Sequence, residues 1–162
     1  MKLIVAVDKE WNIGNKGDLL FYIPDDLKFF RSKTIEKVVV MGRKTLESFP
    51  NSKPLKNRVN IVLSRNKNLE VEGATFVSDI DELKVVLSQY NSDDVYVIGG
   101  ESIYTALLPL CDTAIITHID AVASEADKKF PKLDESEWIL HDDSGEKECN
   151  GYKFRWCEYK RK

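Results

Sequence analysis

The sequence predicts an α/β fold built on a mostly parallel β-sheet, with an antiparallel hairpin near its carboxyl end. Short β-rich runs alternate with helical patterns along most of the 162-residue chain. Two runs, residues 38–41 and 95–98, are apolar on both faces, as in strands that helices cover on both sides. Residues 152–156 alternate strictly, and Asn150 and Gly151 before them give a strong hairpin-turn signal.

The predicted elements follow one another in chain order. The first strand is the apolar run 3–7, which is too short for a signal peptide or a membrane span. Five further strands are predicted at residues 37–41, 58–63, 74–77, 94–98 and 113–119. Helical patterns occupy residues 24–33, 43–49, 80–90 and 101–108, and the hairpin covers residues 138–159. Residues 9–22 and 50–57 are predicted to be irregular, and a loop as long as the first usually has a function.

Composition and charge favour one globular domain over residues 1–162, in the cytoplasm. Apolar residues make up 43% of the chain, an ordinary share for a globular protein, and the length suits one core. The net charge of −3 gives no general attraction to nucleic acid or to anionic membranes. Three cysteines without a CxxC spacing predict reduced thiols. Two isolated histidines predict no metal site, and the short length without an apolar surface stripe favours a monomer.

A carboxylate at Asp26 occupies a helical position that should be apolar. At about 100° per residue it shares a face with Ile23, Leu27, Phe30 and Thr34. A buried carboxylate needs a hydrogen-bond donor, which either the protein or a ligand must supply. The alternative to a binding role is a structural one for Asp26. Acidic residues in the first turn stabilise a helix because they complement its macrodipole. That alternative explains Asp25 fully and Asp26 in part.

Glycine or a basic residue follows three of the predicted strands where they end. After the strand 37–41 come Gly42, Arg43, Lys44 and Thr45. The strand 58–63 ends with Leu63, followed by Ser64 and Arg65. The strand 94–98 ends with Ile98, followed by Gly99, Gly100, Glu101 and Ser102. Glycine lets backbone N–H groups approach an anion at a helix N-terminus, although a tight turn explains each glycine equally well. The patterns GxGxxG and GxxxxGK[ST] are absent. The combination predicts a dinucleotide across the carboxyl ends of parallel strands.

These motifs resemble those of the dihydrofolate reductase family, in order and spacing, from residue 3 to about residue 159. The resemblance is carried by residues 13–14, 23–27, 40–45, 98–100, 117–120 and 130–131. It implies a twisted eight-stranded sheet, mostly parallel, with an antiparallel C-terminal hairpin and four flanking helices. It also implies NADPH-dependent reduction of 7,8-dihydrofolate to 5,6,7,8-tetrahydrofolate, with hydride added to C6 and a proton to N5. That product would supply one-carbon metabolism and thymidylate synthesis.

The resemblance also implies a set of site residues. Asp26 matches the family's catalytic carboxylate, which pairs with the ring N–H and the 2-amino group of the pterin, and Thr117 would donate a hydrogen bond to it. The implied substrate contacts are Ile4, Val5, Asp26, Leu27, Phe30, Leu55, Arg58 and Thr117, with Arg58 on the α-carboxylate of the glutamate tail. The implied NADPH contacts are Ala6, Ile13, Gly14, Leu19, Gly42, Arg43, Lys44, Thr45, Leu63, Ser64, Arg65, Ile98, Gly99, Gly100, Glu101, Ser102 and Tyr104. Residues 14–22 would form a lid that excludes water.

Two other functions stay open beside this one. The related pyrimidine reductase of riboflavin synthesis shares the fold and the NADPH site, but Asp26 and Arg58 argue against its substrate. A non-catalytic nucleotide-binding or scaffold protein that retains the fold is the other, and the intact aspartate, lid and basic cluster argue against it. Phe21 stands where many bacterial members of the family have tryptophan, and it cannot donate a hydrogen bond. Trp156 is expected to pack in the core or a loop.

Overall fold

Eleven β-strands and four α-helices make up the described part of the chain, residues 1–66 and 68–162 of a computed structural model. The strands are β1 (Lys2–Val7), β2 (Asn12–Gly14), β3 (Val38–Gly42), β4 (Val59–Leu63), β5 (Ala74–Val77), β6 (Val95–Gly99), β7 (Thr113–Ile119), β8 (Lys128–Lys129), β9 (Trp138–Asp143), β10 (Lys147–Cys149) and β11 (Tyr152–Arg161). The helices are α1 (Pro24–Thr34), α2 (Arg43–Ser48), α3 (Ile80–Leu87) and α4 (Glu101–Leu107).

The main sheet places β1 at its centre. Its order is β10-β11-β7-β1-β6-β3-β4-β5, and β9 also pairs with β11. All neighbours from β7 to β5 are parallel, and β11 runs antiparallel to β7. Because β9 and β10 pair with different parts of β11 on the side away from β7, the sheet is eight positions wide. The predicted eight-stranded, mostly parallel sheet with four helices is confirmed.

Each face of the sheet has its own apolar core. Alternation along β3 sends Val38 and Val40 into a cluster with side chains of α3 and α4. Val39 and Met41 point to the other face, where they pack against Leu46 of α2. This double burial explains why the strand reads as apolar throughout.

Three details differ from the sequence prediction. The stretch 9–22 is not wholly irregular, because β2 pairs with β8 in a small separate sheet. The C-terminal region has three strands, since β9 and β10 share β11. Helix α3 ends at Leu87, where Ser88 and Gln89 side chains donate to carbonyls of the last turn. No helix in the described ranges is long and apolar enough to cross a membrane.

Candidate active site

The carboxyl ends of the central parallel strands meet at one edge of the sheet. Gly42 at the end of β3 lies opposite Leu63 of β4, and Met41 lies opposite Gly99 of β6. Strand β1 pairs with β6 on one side and with β7 on the other. The segments that follow these strands are therefore neighbours at the edge where open α/β sheets bind ligands.

Asp26 is positioned by the first turn of α1. Pro24 fits the first helical position, which needs no N–H donor, and the backbone N–H of Asp26 donates to the Ile23 carbonyl at 2.9 Å. Oδ1 of Asp26 accepts hydrogen bonds from Thr117 Oγ1 at 2.7 Å and from Trp156 Nε1 at 2.9 Å. The expected hydrogen bond from Thr117 is confirmed.

Acceptor capacity remains on the Asp26 carboxylate. Burial raises the pKa of this carboxyl, and the hydrogen bonds from Thr117 and Trp156 lower it in part. An ionised carboxylate offers about four acceptor sites, of which these two donors use two. Within residues 1–66 and 68–162 no donor is hydrogen-bonded to Oδ2. The group is therefore suited to a ligand that presents two adjacent N–H donors.

Three adjacent strands bring small, hydroxyl and indole side chains to the same level of the sheet. Ala6 of β1 is in register with Thr117 of β7, which is in register with Trp156 of β11. Side chains in register point to the same face, and α1 covers this face. Phe29 of α1 stacks on Trp156, with ring centroids 4.3 Å apart and planes 8° apart.

The apolar residues implied as substrate contacts do not all face the same way. Ile4 is buried beside Phe30 on the α1 face, whereas Val5 alternates into the cluster on the opposite face. Leu27 leaves 42% of its surface exposed on α1. Leu55 packs beside the cluster under α2. Apolar side chains therefore neighbour Asp26 on α1, while Leu55 of the loop before β4 belongs to the cluster under α2.

Two arginines lie together near the C-terminal end of α1. Arg58 donates from Nε to the Lys56 carbonyl at 2.9 Å and from Nη1 to Thr34 Oγ1 at 3.2 Å. Burial lowers the pKa of Arg58, and the nearby Arg31 guanidinium lowers it further. Because two like charges repel in this position, a carboxylate between them would be favoured. Arg31 was not predicted from the sequence, where it is one of several exposed charged residues on α1.

Asn60 clamps the loop that carries Leu55. It is only 2% exposed and lies within an otherwise apolar strand. Its Oδ1 accepts from the Leu55 N–H at 3.0 Å, and its Nδ2 donates to the carbonyls of Leu55 at 2.9 Å and Arg58 at 3.0 Å. The sequence reasoning also missed this residue, and the signal was a single amide in a β-branched run.

Cations and hydroxyls stand at the ends of β3 and β4. Arg43 and Lys44 are exposed at the start of α2, and Arg43 forms only a long contact of 3.4 Å with Glu47. Ser64 is fixed by its backbone N–H, which donates to the Val77 carbonyl at 2.9 Å. Arg65 follows it and is exposed. These groups give the edge a positive character that the chain as a whole lacks.

The glycines at the strand ends have different causes. Gly42 has ordinary extended backbone, and a Cβ there would lie 2.9 Å from Ile103 Cγ1, so close packing of α4 requires the glycine. Gly99 has a φ of +124° and is joined to Gly100 by a cis peptide bond. A Cβ on Gly100 would face Thr45 Oγ1 at 3.6 Å. Only the second junction therefore needs an unusual backbone.

Side chains of α4 are largely engaged within the protein. Tyr104 is buried under Gly99, and its hydroxyl donates to the Ile4 carbonyl at 2.7 Å. Burial raises the pKa of Tyr104, which keeps this hydroxyl protonated. The carboxylate of Glu101 accepts a hydrogen bond from the Lys129 backbone N–H. Ile98 is half-buried and Ser102 is exposed beside them.

The first long loop is tied to the segment before β8. The Asp127 N–H donates to the Gly14 carbonyl at 3.0 Å, and its Oδ2 accepts from the Lys16 N–H at 3.1 Å. Ile13 packs against the core, whereas Leu19 is 65% exposed. The expected lid is thus anchored to Asp127 at Gly14 and Lys16, whereas its part around Leu19 is exposed.

Trp156 is the largest difference between the expected and the observed site. The expectation that it packs in a core or loop did not include a polar role: its ring stacks on Phe29, and its indole N–H also donates to Asp26, 130 positions away in sequence. Alternation places it on one face of β11 with Phe154, but periodicity does not reveal which helix covers that face. Pairing of β11 with β7 is what brings it to Asp26.

Comparisons with known proteins agree with this geometry. A family model described as dihydrofolate reductase matches residues 1–161. The dihydrofolate reductase of Bacillus subtilis is 35% identical over 164 residues, covering 100% of this chain and 95% of that protein. The dihydrofolate reductase of Mycobacterium leprae is 34% identical, covering 98% of this chain and 96% of its own length.

A solved structure is similar over nearly the whole chain. It is a dihydrofolate reductase from Enterococcus faecalis complexed with NADP(H) and RAB-propyl. The TM-score is 0.89 with 34% sequence identity, and the match covers 99% of this chain and 95% of the other. The chain belongs to the dihydrofolate reductase family.

Proposed function

We propose that the chain reduces 7,8-dihydrofolate to 5,6,7,8-tetrahydrofolate with NADPH, and so supplies one-carbon metabolism and thymidylate synthesis. The observation that carries the proposal is the Asp26 carboxylate, half-buried against the sheet with two acceptor sites left over. Family membership over residues 1–161 supports the same reaction.

Asp26 is the residue that holds the pterin. Its remaining acceptor sites pair with the ring N–H and the 2-amino group, two donors on one edge of the substrate. A bidentate, charge-assisted pair fixes both the position and the orientation of the ring. Thr117 fixes the orientation of the carboxylate by donating a hydrogen bond to Asp26 Oδ1.

Apolar side chains and arginines would hold the rest of the substrate. Leu27 and Phe30 on α1, with Ile4, Leu55 and the backbone of Val5, would contact the pterin and the aryl group. Arg58 would pair with the α-carboxylate of the glutamate tail, and Arg31 adds a second positive charge beside it. Holding the tail at a distance from the reacting atoms lets its binding energy orient the ring.

The residues at the strand ends fit a phosphorylated dinucleotide. Three cations (Arg43, Lys44 and Arg65) and two hydroxyls (Thr45 and Ser64) stand at the edge, and Gly100 lies next to Thr45. Arg43, Lys44 and Thr45 would hold the diphosphate, while Ser64 and Arg65 would hold the 2′-phosphate that distinguishes NADPH from NADH. When bound, NADPH supplies the hydride that adds to C6.

The remaining implied cofactor contacts would complete the NADPH site. They are Ala6, Ile13, Gly14, Leu19, Gly42, Leu63, Ile98, Gly99, Glu101, Ser102 and Tyr104. Tyr104 and Glu101 would act mainly by shaping the backbone, since Ile4 and Lys129 already engage their polar atoms.

The proton for N5 reaches the substrate through water, with Asp26 setting the electrostatics of the pterin. Reduction of the N5=C6 bond takes up one hydride at C6 and one proton at N5. In the described ranges Asp26 is hydrogen-bonded to no other carboxylate or histidine that could relay the proton. The lid of residues 14–22, anchored at Asp127, would exclude bulk water during transfer.

The proposal extends to one domain over residues 1–162, acting as a monomer in the cytoplasm without nucleic acid. One sheet contains nine of the eleven described strands, including both β1 and β11, which supports a single domain. Cys111 and Cys157 are buried free thiols, and burial raises the pKa of Cys111 to about 12, as suits an inert cysteine. Size-exclusion chromatography with light scattering tests the oligomeric state.

Loss of NADPH absorbance on mixing with dihydrofolate tests the reaction. Turnover with dihydrofolate, and none with the ribityl phosphate substrate of the related pyrimidine reductase, is the expected result. Absence of turnover with dihydrofolate would contradict the proposal.

Arg65→Ala tests recognition of the 2′-phosphate. The variant should raise KM for NADPH by about tenfold or more, because a charged hydrogen bond contributes roughly 1.5–3 kcal/mol, and should leave KM for NADH nearly unchanged. Equal losses for the two cofactors would show that Arg65 does not read that phosphate.

A further inference from the structure

Trp156 contributes the second hydrogen bond to the proposed catalytic carboxylate. Its Nε1 lies 2.9 Å from Asp26 Oδ1, the same oxygen that accepts from Thr117. Phe21, at the end of the lid, packs edge-on against Tyr152 and has no donor to offer. The indole is therefore the aromatic donor that this site contains.

The indole is held in place independently of Asp26. Ser144 makes two hydrogen bonds to the backbone of Trp156. The Ser144 N–H donates to the Trp156 carbonyl, and Ser144 Oγ accepts from the Trp156 N–H, both at 2.9 Å. Phe29 stacks on the ring, and Lys147 Nζ lies 5.2 Å from the ring centroid. A donor fixed at backbone and ring loses little entropy when it makes its hydrogen bond.

We propose that Trp156 is a positioning residue for the reaction proposed above, on which this inference rests. Its indole N–H fixes Oδ1 of Asp26 and leaves the other acceptor sites of the carboxylate for the two donors of the pterin. Trp156 acts through Asp26 and not on the reacting atoms.

The charged groups next to Asp26, Thr117 and Trp156 do not duplicate this role. Asp25 and Lys28 share α1 with Asp26, His118 follows Thr117, Arg155 precedes Trp156, and Lys147 lies over the Trp156 ring. His118 and Arg155 alternate to the opposite face of the sheet, where Arg155 pairs with Asp143 at 2.8 Å. No described charged side chain forms an ion pair with Asp26.

Removing the indole donor should therefore change how Asp26 ionises. Burial raises the pKa of this carboxyl, and Thr117 and Trp156 are the groups that oppose the rise. A donor to a carboxylate stabilises its ionised form, so its loss raises the pKa further.

The test is a titration of the Asp26 carboxyl carbon by ¹³C NMR in wild type and Trp156→Phe, without substrate. The midpoint should move up by about one pH unit, the shift that loss of one hydrogen bond to a charged group produces. Trp138→Phe is the matched control, because Trp138 is buried beside Arg161 and makes no hydrogen bond to Asp26. It should leave the midpoint unchanged.

A second variant keeps the shape of the indole. Benzothienylalanine at position 156 has the same two fused rings without the N–H, so stacking on Phe29 is retained and only the donor is lost. If Trp156→Phe fails to fold, this variant carries the test, with the same shift expected.

Kinetics separates the outcomes. With wild-type turnover established, both variants should lower kcat/KM for dihydrofolate by about tenfold and shift the pH profile upward. If the titration midpoint of Asp26 is unchanged in the variants, the proposal is overturned. A fall in kcat/KM without that shift would mean that Trp156 contacts the substrate directly. If the wild type lacks turnover, the proposed function fails, whereas the titration still reports the hydrogen bond.

Discussion

Burial and hydrogen bonding act in opposite directions on the Asp26 carboxyl. Burial raises its pKa, whereas Thr117 and Trp156 lower it in part. Asp25, one residue earlier, is exposed and has the simpler role of complementing the helix macrodipole. Two adjacent aspartates thus serve different purposes, one for the helix and one for the site.

At the residue scale, Arg58→Ala tests the proposed contact with the glutamate tail. KM for dihydrofolate should rise by about tenfold to a hundredfold with kcat little changed, since a charged hydrogen bond contributes roughly 1.5–3 kcal/mol. A reduced pterin substrate without the glutamate tail should be turned over equally by wild type and variant. Steady-state kinetics with both substrates provides the measurement.

Lys56→Ala is the matched control, because this exposed lysine contributes only its backbone carbonyl to Arg58. It should leave both substrates unaffected. Equal losses on the two substrates in Arg58→Ala would mean that Arg58 supports the fold and does not recognise the tail.

At the scale of elements, two loops take their shape from single side chains. The Asn60 side chain on β4 binds the N–H and the carbonyl of Leu55. Asp127 binds the backbone of the first long loop at Gly14 and Lys16. Backbone groups in loops need partners of this kind when no ladder supplies them. Function at the loops therefore depends on residues outside them.

Asn60→Ala should release the loop before β4. Loss of a buried amide that makes three hydrogen bonds should reduce the free energy of unfolding by about 1–3 kcal/mol or more, and KM for dihydrofolate should rise as Leu55 and Arg58 move. Urea denaturation and steady-state kinetics measure the two effects. Lys53→Ala, an exposed change in the same loop, should have neither; an Asn60→Ala variant with wild-type stability would exclude the clamp.

Strands with strong apolar patterns were predictable from sequence, whereas the two short strands of the separate sheet, β2 and β8, were not. β3 and β6 are apolar on both faces, so their positions follow from composition alone. β8 consists of Lys128 and Lys129, and two exposed lysines carry no strand signal. Its pairing with β2 depends on the Asp127 contacts, which sequence periodicity does not encode.

At the scale of the whole molecule, the site is assembled by the order of the strands. Thr117 is 91 positions from Asp26, and Trp156 is 130 positions away. They meet because β7 lies between β1 and β11 in the sheet. Motif resemblance predicted the Thr117 hydrogen bond, but only the three-dimensional pairing brings in Trp156.

Asp26→Asn should make the folded chain more stable near neutral pH. Because the pKa of Asp26 is raised on folding, the folded state binds the proton more tightly than the unfolded state. The free energy of unfolding therefore falls as pH rises from the ordinary aspartate pKa through the raised one. The variant lacks this cost, so its Tm should exceed that of wild type by about 2–4 °C for each kcal/mol.

The difference in Tm should shrink as the pH falls below the ordinary aspartate pKa, where both chains are neutral at this position. Asp25→Asn, the control one residue earlier, should lower stability slightly, by about 0.3–1 kcal/mol, through loss of charge at the helix start. Thermal unfolding across pH measures all three chains. A less stable Asp26→Asn variant at neutral pH would contradict the assigned cost of burial.

Hydride transfer by Asp26→Asn, compared with wild type, tests the central claim most directly. The claim is that the Asp26 carboxylate holds and activates the pterin, so kcat/KM for dihydrofolate should fall by about a hundredfold or more, as loss of a bidentate charged pair requires. NADPH affinity and the far-UV spectrum should stay unchanged. Turnover close to that of wild type near neutral pH would contradict the role of Asp26.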